Sequence, residues 1–534
     1  MLPNRQHASP LSLTTASRPW RIDVALYSVL AFATAAFARN FAWIHIRVDS
    51  SWPYVQFFFR PTTGAFAQSI PSGLPIFVTE LFLALLLVCS VVRRRTYGRV
   101  TASAWLDGSL LLWLLVGLYD LARGLSVGPT LALRDSAIVY YASFVYIART
   151  VCDSWKNIAI VCLAFWLGTV ASLSAATLEY AGLDVLPDID WPTRGQFLSG
   201  IFGLYFLVAI LTGMTLWPRL GRMAKWILFI YLSFATFALV LPQQRSLIIA
   251  LVVGLSMLLV GRSAAAVEVF PLWRMAVGVA AAALILETTR FFTGSPSQFL
   301  GPVQQLIAKT RQTVVVATPS GDDRGTASAG AAASSAIGAD GVEALQFTST
   351  ARFRQDAWAE AWTRVTDHPM FGEGFGKPFV FYDSVQRRWW TDDVRPHNAY
   401  LTILYKMGLL GLAAFALVHL ALYTAAYGAW RSGRSPVIRS CIFGLMTALL
   451  GMQVYGFFNL LFESPFLAVV YWSVMGLIIS LSHLEGDAAA PISDWTPRPR
   501  LPHQLGADRR PHTGPRFVDS VKLDAIRIPS SSSD

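Results

Sequence analysis

Charge is scarce in this sequence. Only 14% of its 534 residues are Asp, Glu, Lys or Arg, while 54% are hydrophobic, and a soluble chain of this length carries roughly a quarter charged residues. An ordinary soluble protein is excluded. Cysteine is scarcer still: Cys89, Cys152, Cys162 and Cys441 lie within or beside apolar runs without metal-ligand spacing, so neither a disulfide framework nor a zinc site is indicated. Acidic residues number 32 against 43 basic ones, yet no groove-reading motif accompanies the surplus, and nucleic acid is not an expected partner. No internal repeat is found. The carboxylates expected outside the membrane form no metal-ligand cluster, so no metal or other cofactor is expected.

What the chain has in abundance is apolar runs of about twenty residues, the length that spans a bilayer's hydrocarbon core. About twelve spans are expected, over 22–39, 74–92, 104–122, 135–150, 157–178, 196–216, 226–243, 246–260, 275–291, 398–424, 440–461 and 465–483. The fold class is an all-α polytopic membrane protein. Basic clusters such as Arg93-Arg94-Arg95, Arg219 with Arg222 and Lys225, and Arg431 with Arg439 alternate with loops poorer in Lys and Arg. That is the positive-inside pattern, and it puts both termini inside. The first run ends in Ala36-Phe37-Ala38, which resembles a signal-peptidase site; an uncleaved span is preferred, since either fate leaves the later topology unchanged.

The expected order is an inner N-terminus (1–21), nine spans (22–291), a long outer loop (292–397), three spans (398–483) and a disordered inner tail (484–534). The loop is far longer than most connections and is expected to carry function. Its 318–341 stretch, rich in Ala, Ser and Gly, reads as flexible linker. Over 350–366, Phe353, Ala357, Trp358, Ala361, Trp362 and Val365 recur at helical spacing, predicting an amphipathic helix on the membrane surface with its tryptophans inward.

One motif carries titratable chemistry. In Arg395-Pro396-His397-Asn398, Pro396 disfavours helix before it and Asn398 is a good N-cap, so a helix is expected to start at Asn398 or Ala399. His397 then sits beside a helix N-terminus, whose dipole favours the neutral, proton-accepting imidazole. Asp392 or Asp393 could orient the ring; capping or anchoring a span is the alternative reading of His397. In Pro242-Gln243-Gln244-Arg245-Ser246, an arginine interrupts two apolar runs on the side expected to be outside. It either snorkels to the interface or clamps a pyrophosphate through its bidentate guanidinium. Arg194, Arg352, Arg354 and Arg395 are further phosphate or sugar contacts to weigh against surface roles. Asn459 and Glu463 could bind sugar hydroxyls or cap a turn, and Trp389-Trp390 reads as an interfacial anchor. Gly372-x-Gly374-x-Gly376 lacks the context of a phosphate-binding loop.

The spacing His397-Asn398, nine residues, Gly408-x-x-Gly411, preceded by His368-Pro369-Met370-Phe371-Gly372-Glu373-Gly374-Phe375-Gly376, resembles the O-antigen ligase-like superfamily of bacterial polysaccharide ligases and polymerases. The resemblance implies a GT-C-like fold of about twelve spans in the bacterial inner membrane, with a periplasmic site. It implies a metal-independent, inverting glycosyltransferase in which His397 is the base and Arg245, Arg395, Asn398, Arg352 and Arg194 bind substrate. The implied partners are an undecaprenyl-pyrophosphate-linked glycan, a glycan acceptor (lipid A core or growing polysaccharide) and membrane lipid. Many members carry Glu near Lys406, a departure here. A Wzy-type polymerase joining lipid-linked repeat units is the alternative. A flippase of lipid-linked sugar is the rival from another class, since about twelve helices also suit a transporter.

Overall fold

Leu111, Leu115 and Leu118 stand 56, 53 and 60% exposed on one face of a helix whose other face buries Trp113 and Val116. In water such a face invites aggregation; in a bilayer it meets hydrocarbon. The computed structural model describes residues 21–37, 45–46, 55–56, 78–97, 104–181, 200–241, 244–263, 270–293, 339–384, 387–391, 396–433 and 435–489.

The first half is built from α1 (Ile22–Phe37), α2 (Val78–Tyr97), α3 (Ala104–Leu125), α4 (Pro129–Asp135), α5 (Ala137–Tyr140), α6 (Ser143–Val151) and α7 (Trp155–Tyr180). The second half adds α8 (Gly200–Leu216), α9 (Arg222–Val240), α10 (Arg245–Ser263), α11 (Leu272–Thr293), α12 (Ala339–Asp367), α13 (Ala399–Ser432), α14 (Pro436–Phe458) and α15 (Pro465–Ala489). Two short antiparallel pairs join them: β1 (His45–Ile46) with β2 (Val55–Gln56), and β3 (Val380–Asp383) with β4 (Arg388–Thr391).

This is an all-α polytopic membrane protein. Among the described residues nine helices are long and apolar enough to cross a membrane, against the twelve or so expected. Part of the difference has visible causes. Helix α1 is only 16 residues long. The span read over 135–150 is three short pieces, α4 to α6. The loop helix begins at Ala339, well before residue 350 and inside the stretch read as linker.

Polar side chains fasten the two ends of the bundle. At the end expected to lie inside, Arg21 bonds Asp23 and Asp153 at 2.7 Å each and Arg93 bonds Asp23 at 2.8 Å, tying α1, α2 and the start of α7. At the opposite end Arg123 of α3 donates to the Phe371 carbonyl at 3.3 Å, so the glycine-rich segment sits on the bundle there.

That segment explains the first glycine of the Gly-x-x-Gly motif. Helix α13 breaks at Gly408, where φ is +64° and ψ is −166°. The backbone groups freed by the break find partners in the loop: Leu409 N–H donates to Pro369 at 2.8 Å and Leu410 N–H to Met370 at 3.1 Å. In return Glu373 and Gly374 N–H donate to the Tyr405 and Lys406 carbonyls at 2.8 and 2.9 Å. A Cβ at Gly408 would lie 2.3 Å from the Met370 oxygen, and one at Gly372 would lie 2.4 Å from the Lys406 carbonyl. Only glycine allows both the left-handed backbone and the close approach.

Lys406 is part of this joint. Its ammonium is buried, 2.9 Å from Asp135 on α4 and 2.8 Å from the Lys377 carbonyl, while Gly376 N–H donates to the same carboxylate at 2.9 Å. Removing one partner of a buried pair strands the other charge, a loss of about 3–5 kcal/mol. Lys406→Met is therefore expected to lower the thermal unfolding midpoint in detergent markedly. Lys406→Met with Asp135→Asn is expected to recover much of that loss; no recovery would mean the pair is not the source.

Candidate functional site

Asn398 caps α13. Its side-chain oxygen accepts from Tyr400 N–H at 3.1 Å and Leu401 N–H at 3.0 Å, satisfying two of the donors that a helix start leaves open. The helix starts at Ala399, one of the two starts expected. His397, just before the cap, has φ +48°, a left-handed conformation uncommon outside glycine. Its neighbour Pro396 accepts a hydrogen bond from the Trp358 indole of α12. The membrane helix and the loop helix thus meet at this turn.

The meeting brings Arg354 to His397. Burial is the main cause that lowers the imidazole pKa below its ordinary 6.5, and the Arg354 guanidinium lowers it further. The ring is therefore neutral at neutral pH and free to accept a proton. Burial also lowers the Arg354 pKa, an effect that Tyr455 on α14 partly offsets. The helix dipole favours the same neutral imidazole, to which desolvation and the neighbouring cation add.

Arg245 reaches the same end of the bundle by another route. It is the first residue of α10, and the adjacent Ser246 accepts a hydrogen bond from Asn459 Nδ2 at 2.9 Å. Asn459 closes α14 one turn beyond Tyr455, donating to the Tyr455 carbonyl at 3.2 Å. The last turn of α14 therefore touches the Arg245 corner through Asn459 and carries Tyr455, whose charge interacts with Arg354. A cation at a helix N-terminus runs against the macrodipole, and an anion placed there satisfies both.

Residues 227–416 match the family model described as O-antigen ligase. Over that stretch the chain is similar to the O-antigen ligase family. Arg245, Arg354, His397, Asn398, Gly408 and Gly411 all fall within the matched region. A curated protein of Pseudomonas aeruginosa named O-antigen ligase is 31% identical over 104 residues, covering 18% of this chain and 24% of that protein. The match spans about a quarter of that relative's length.

The other candidate residues fare differently. Arg352 is exposed on α12. Arg194, Arg395, Asp392 and Asp393 lie outside the described residues. Among the described residues no three His, Cys, Asp or Glu side chains gather where they could hold a metal ion.

Helix α12 is not oriented quite as expected. Ala357, Ala361 and Val365 do face inward, packing with Phe379, Phe381 and Tyr405, but Trp362 points outward at 57% exposure. Arg364 locks the helix down, bonding Glu360 and Glu373 at 2.9 Å and the Pro378 and Val380 carbonyls at 3.0 and 3.1 Å. The β3–β4 hairpin beneath it was not foreseen. Its signal was Phe379-Val380-Phe381-Tyr382 facing Trp389-Trp390, a run of strand-favouring residues. Of the tryptophan pair, Trp390 is half-buried and donates to Asp383 at 3.1 Å, while Trp389 is exposed beside Tyr382.

Proposed function

We propose that this chain transfers a glycan from undecaprenyl pyrophosphate to an acceptor sugar hydroxyl at the periplasmic face of the bacterial inner membrane. It would do so as an O-antigen or surface-polysaccharide ligase. The observation that carries this reading is the meeting of Arg354 and a neutral His397 at the mouth of α13, with Arg245 on the same rim.

In the proposed reaction His397 takes the proton of the acceptor hydroxyl. The oxygen attacks the anomeric carbon of the donor as that carbon's bond to pyrophosphate breaks, inverting the centre. Undecaprenyl pyrophosphate leaves, and the proton passes from His397 to solvent. Charge grows on the departing oxygen, where Arg354 and Arg245 supply fixed positive charge. Asn398 holds the turn that carries the base, and Arg352, Arg395 and Arg194 remain proposed contacts to glycan or phosphate. Lipid A core or a growing polysaccharide is the proposed acceptor.

The test is purified full-length protein in detergent with lipid-linked donor and acceptor. Product formation there supports a transferase, because a flippase needs two compartments to act. In a deletion strain a ligase is expected to leave long unattached chains; single repeat units would point to the polymerase. Arg245→Lys is expected to lose nearly as much activity as Arg245→Ala, because lysine lacks the two-pronged guanidinium. A fully active lysine variant would leave Arg245 only its charge.

A further inference from the structure

A surface beside the Gly408 break takes no part in the proposed reaction. The turn that follows α12 presents Met370 and Phe371 outward, 55 and 49% exposed. Its backbone is nevertheless held from within. The Pro369 and Met370 carbonyls accept from Leu409 and Leu410 N–H, and the Phe371 carbonyl accepts from Arg123. Three consecutive acceptors thus face protein, while two large apolar side chains face away from it. Such a pair on a pinned turn marks a contact surface.

Its neighbours say what it contacts. The Phe371 ring lies against that of Tyr119 on α3, centroids 5.8 Å apart. Tyr119 borders the exposed Leu111, Leu115 and Leu118 face, which meets hydrocarbon. On the other side Leu409, bonded to Pro369, heads an exposed stripe of α13 that runs on through Ala413, Ala416 and Leu420 at helical spacing. Helices α3 and α13 pack together through Trp113 and Phe415, whose ring centroids are 5.5 Å apart. The turn therefore sits where two lipid-facing surfaces join.

Depth agrees. Asp107 and Arg123 are the accessible charges at the two ends of α3. At 1.5 Å per residue they stand roughly 24 Å apart, within a hydrocarbon core about 30 Å thick. Tyr119 lies one turn inward of Arg123, whose guanidinium is 5.5 Å from its ring centre, the posture of an arginine reaching back to the interface. A ring resting on Tyr119 is thus on the hydrocarbon side of that charge.

We infer that the Met370–Phe371 turn is seated in the bilayer, its two side chains among the acyl chains of the leaflet at the loop end of the bundle. Because the turn is bonded to α13 on both sides of Gly408, the membrane then sets the depth of that break. The inference is independent of the proposed reaction.

The test is a nitroxide at Met370→Cys or Phe371→Cys, in full-length protein whose four native cysteines are replaced by alanine, in phosphatidylcholine nanodiscs. Power saturation compares relaxation by oxygen, which concentrates in hydrocarbon, with relaxation by a water-soluble nickel chelate. Leu118→Cys on the lipid face is the reference. Both turn labels are expected to be relaxed more by oxygen than by the chelate, with a smaller oxygen preference than at Leu118, which lies deeper. The two labels are read separately, so a turn disturbed by losing the Phe371 ring leaves the Met370 reading intact. Preference for the chelate would put the turn in water, and weak relaxation by both agents would mean that protein, from this chain or a second copy, covers it. Either result overturns the inference.

Discussion

His397→Ala is expected to lower glycan transfer by about 10²–10⁴-fold, the usual worth of a positioned general base, while the protein stays folded and inserted. The structure says why folding should survive. The cap of α13 is the Asn398 side chain, and the bond from Trp358 goes to the Pro396 carbonyl; neither needs the imidazole. Alanine does pay the strain of a left-handed backbone at that position, of order 1 kcal/mol. His397→Asn separates the two effects, since asparagine tolerates φ near +48° but cannot accept and release a proton at neutral pH. A variant as inactive as His397→Ala yet as stable as wild type supports the base; full activity in either removes it.

Arg354→Gln is expected to slow transfer by about 10²–10³-fold, the loss typical of removing one donor to a developing anion. It is also expected to move the pH profile in a direction a merely structural residue would not. Protonated His397 cannot act as a base, so activity falls as pH drops through its pKa, which lies below 6.5 in the wild-type protein. Burial causes most of that lowering and stays in the variant; the repulsion from the guanidinium goes. The pKa therefore rises, and the acid limb of kcat/KM shifts to higher pH. Arg354→Lys keeps the charge and is expected to keep the limb near its wild-type place while still losing rate. An acid limb identical in all three proteins would separate Arg354 from His397.

The difference between Arg352 and Arg354 shows where reading the sequence stops. The two flank Phe353 by about 100° on either side of the helix, so periodicity treats them alike. What separates them is Trp358, one turn after Arg354, whose indole bonds Pro396 and turns that flank toward His397. No local pattern announces that bond, because it depends on how α12 lies on a hairpin that was itself not foreseen. The cap at Asn398 was legible because it is a property of four consecutive residues. Gly408 and Gly411 were legible as a spacing, but the break at Gly408 was not: a φ of +64° inside an apolar helix is forced by a loop some forty residues upstream. Lys406 looked like a departure from the family until Asp135, a residue read as part of an ordinary span, proved to be its partner. Apolar runs announced the membrane helices well, since hydrocarbon thickness sets their length. The pieces at 129–151 escaped because short interrupted helices share the composition of an unbroken one.

The indole of Trp358 has an implication for how the centre is assembled. It reaches across from outside the bilayer to the carbonyl that precedes an energetically unfavourable backbone turn. Were α12 to lift away, that carbonyl would lose its donor, the turn would lose its brace, and the imidazole would lose the cation beside it in the same motion. On the proposed mechanism one indole contact would thus set the places of both the base and the cation that assists the leaving group.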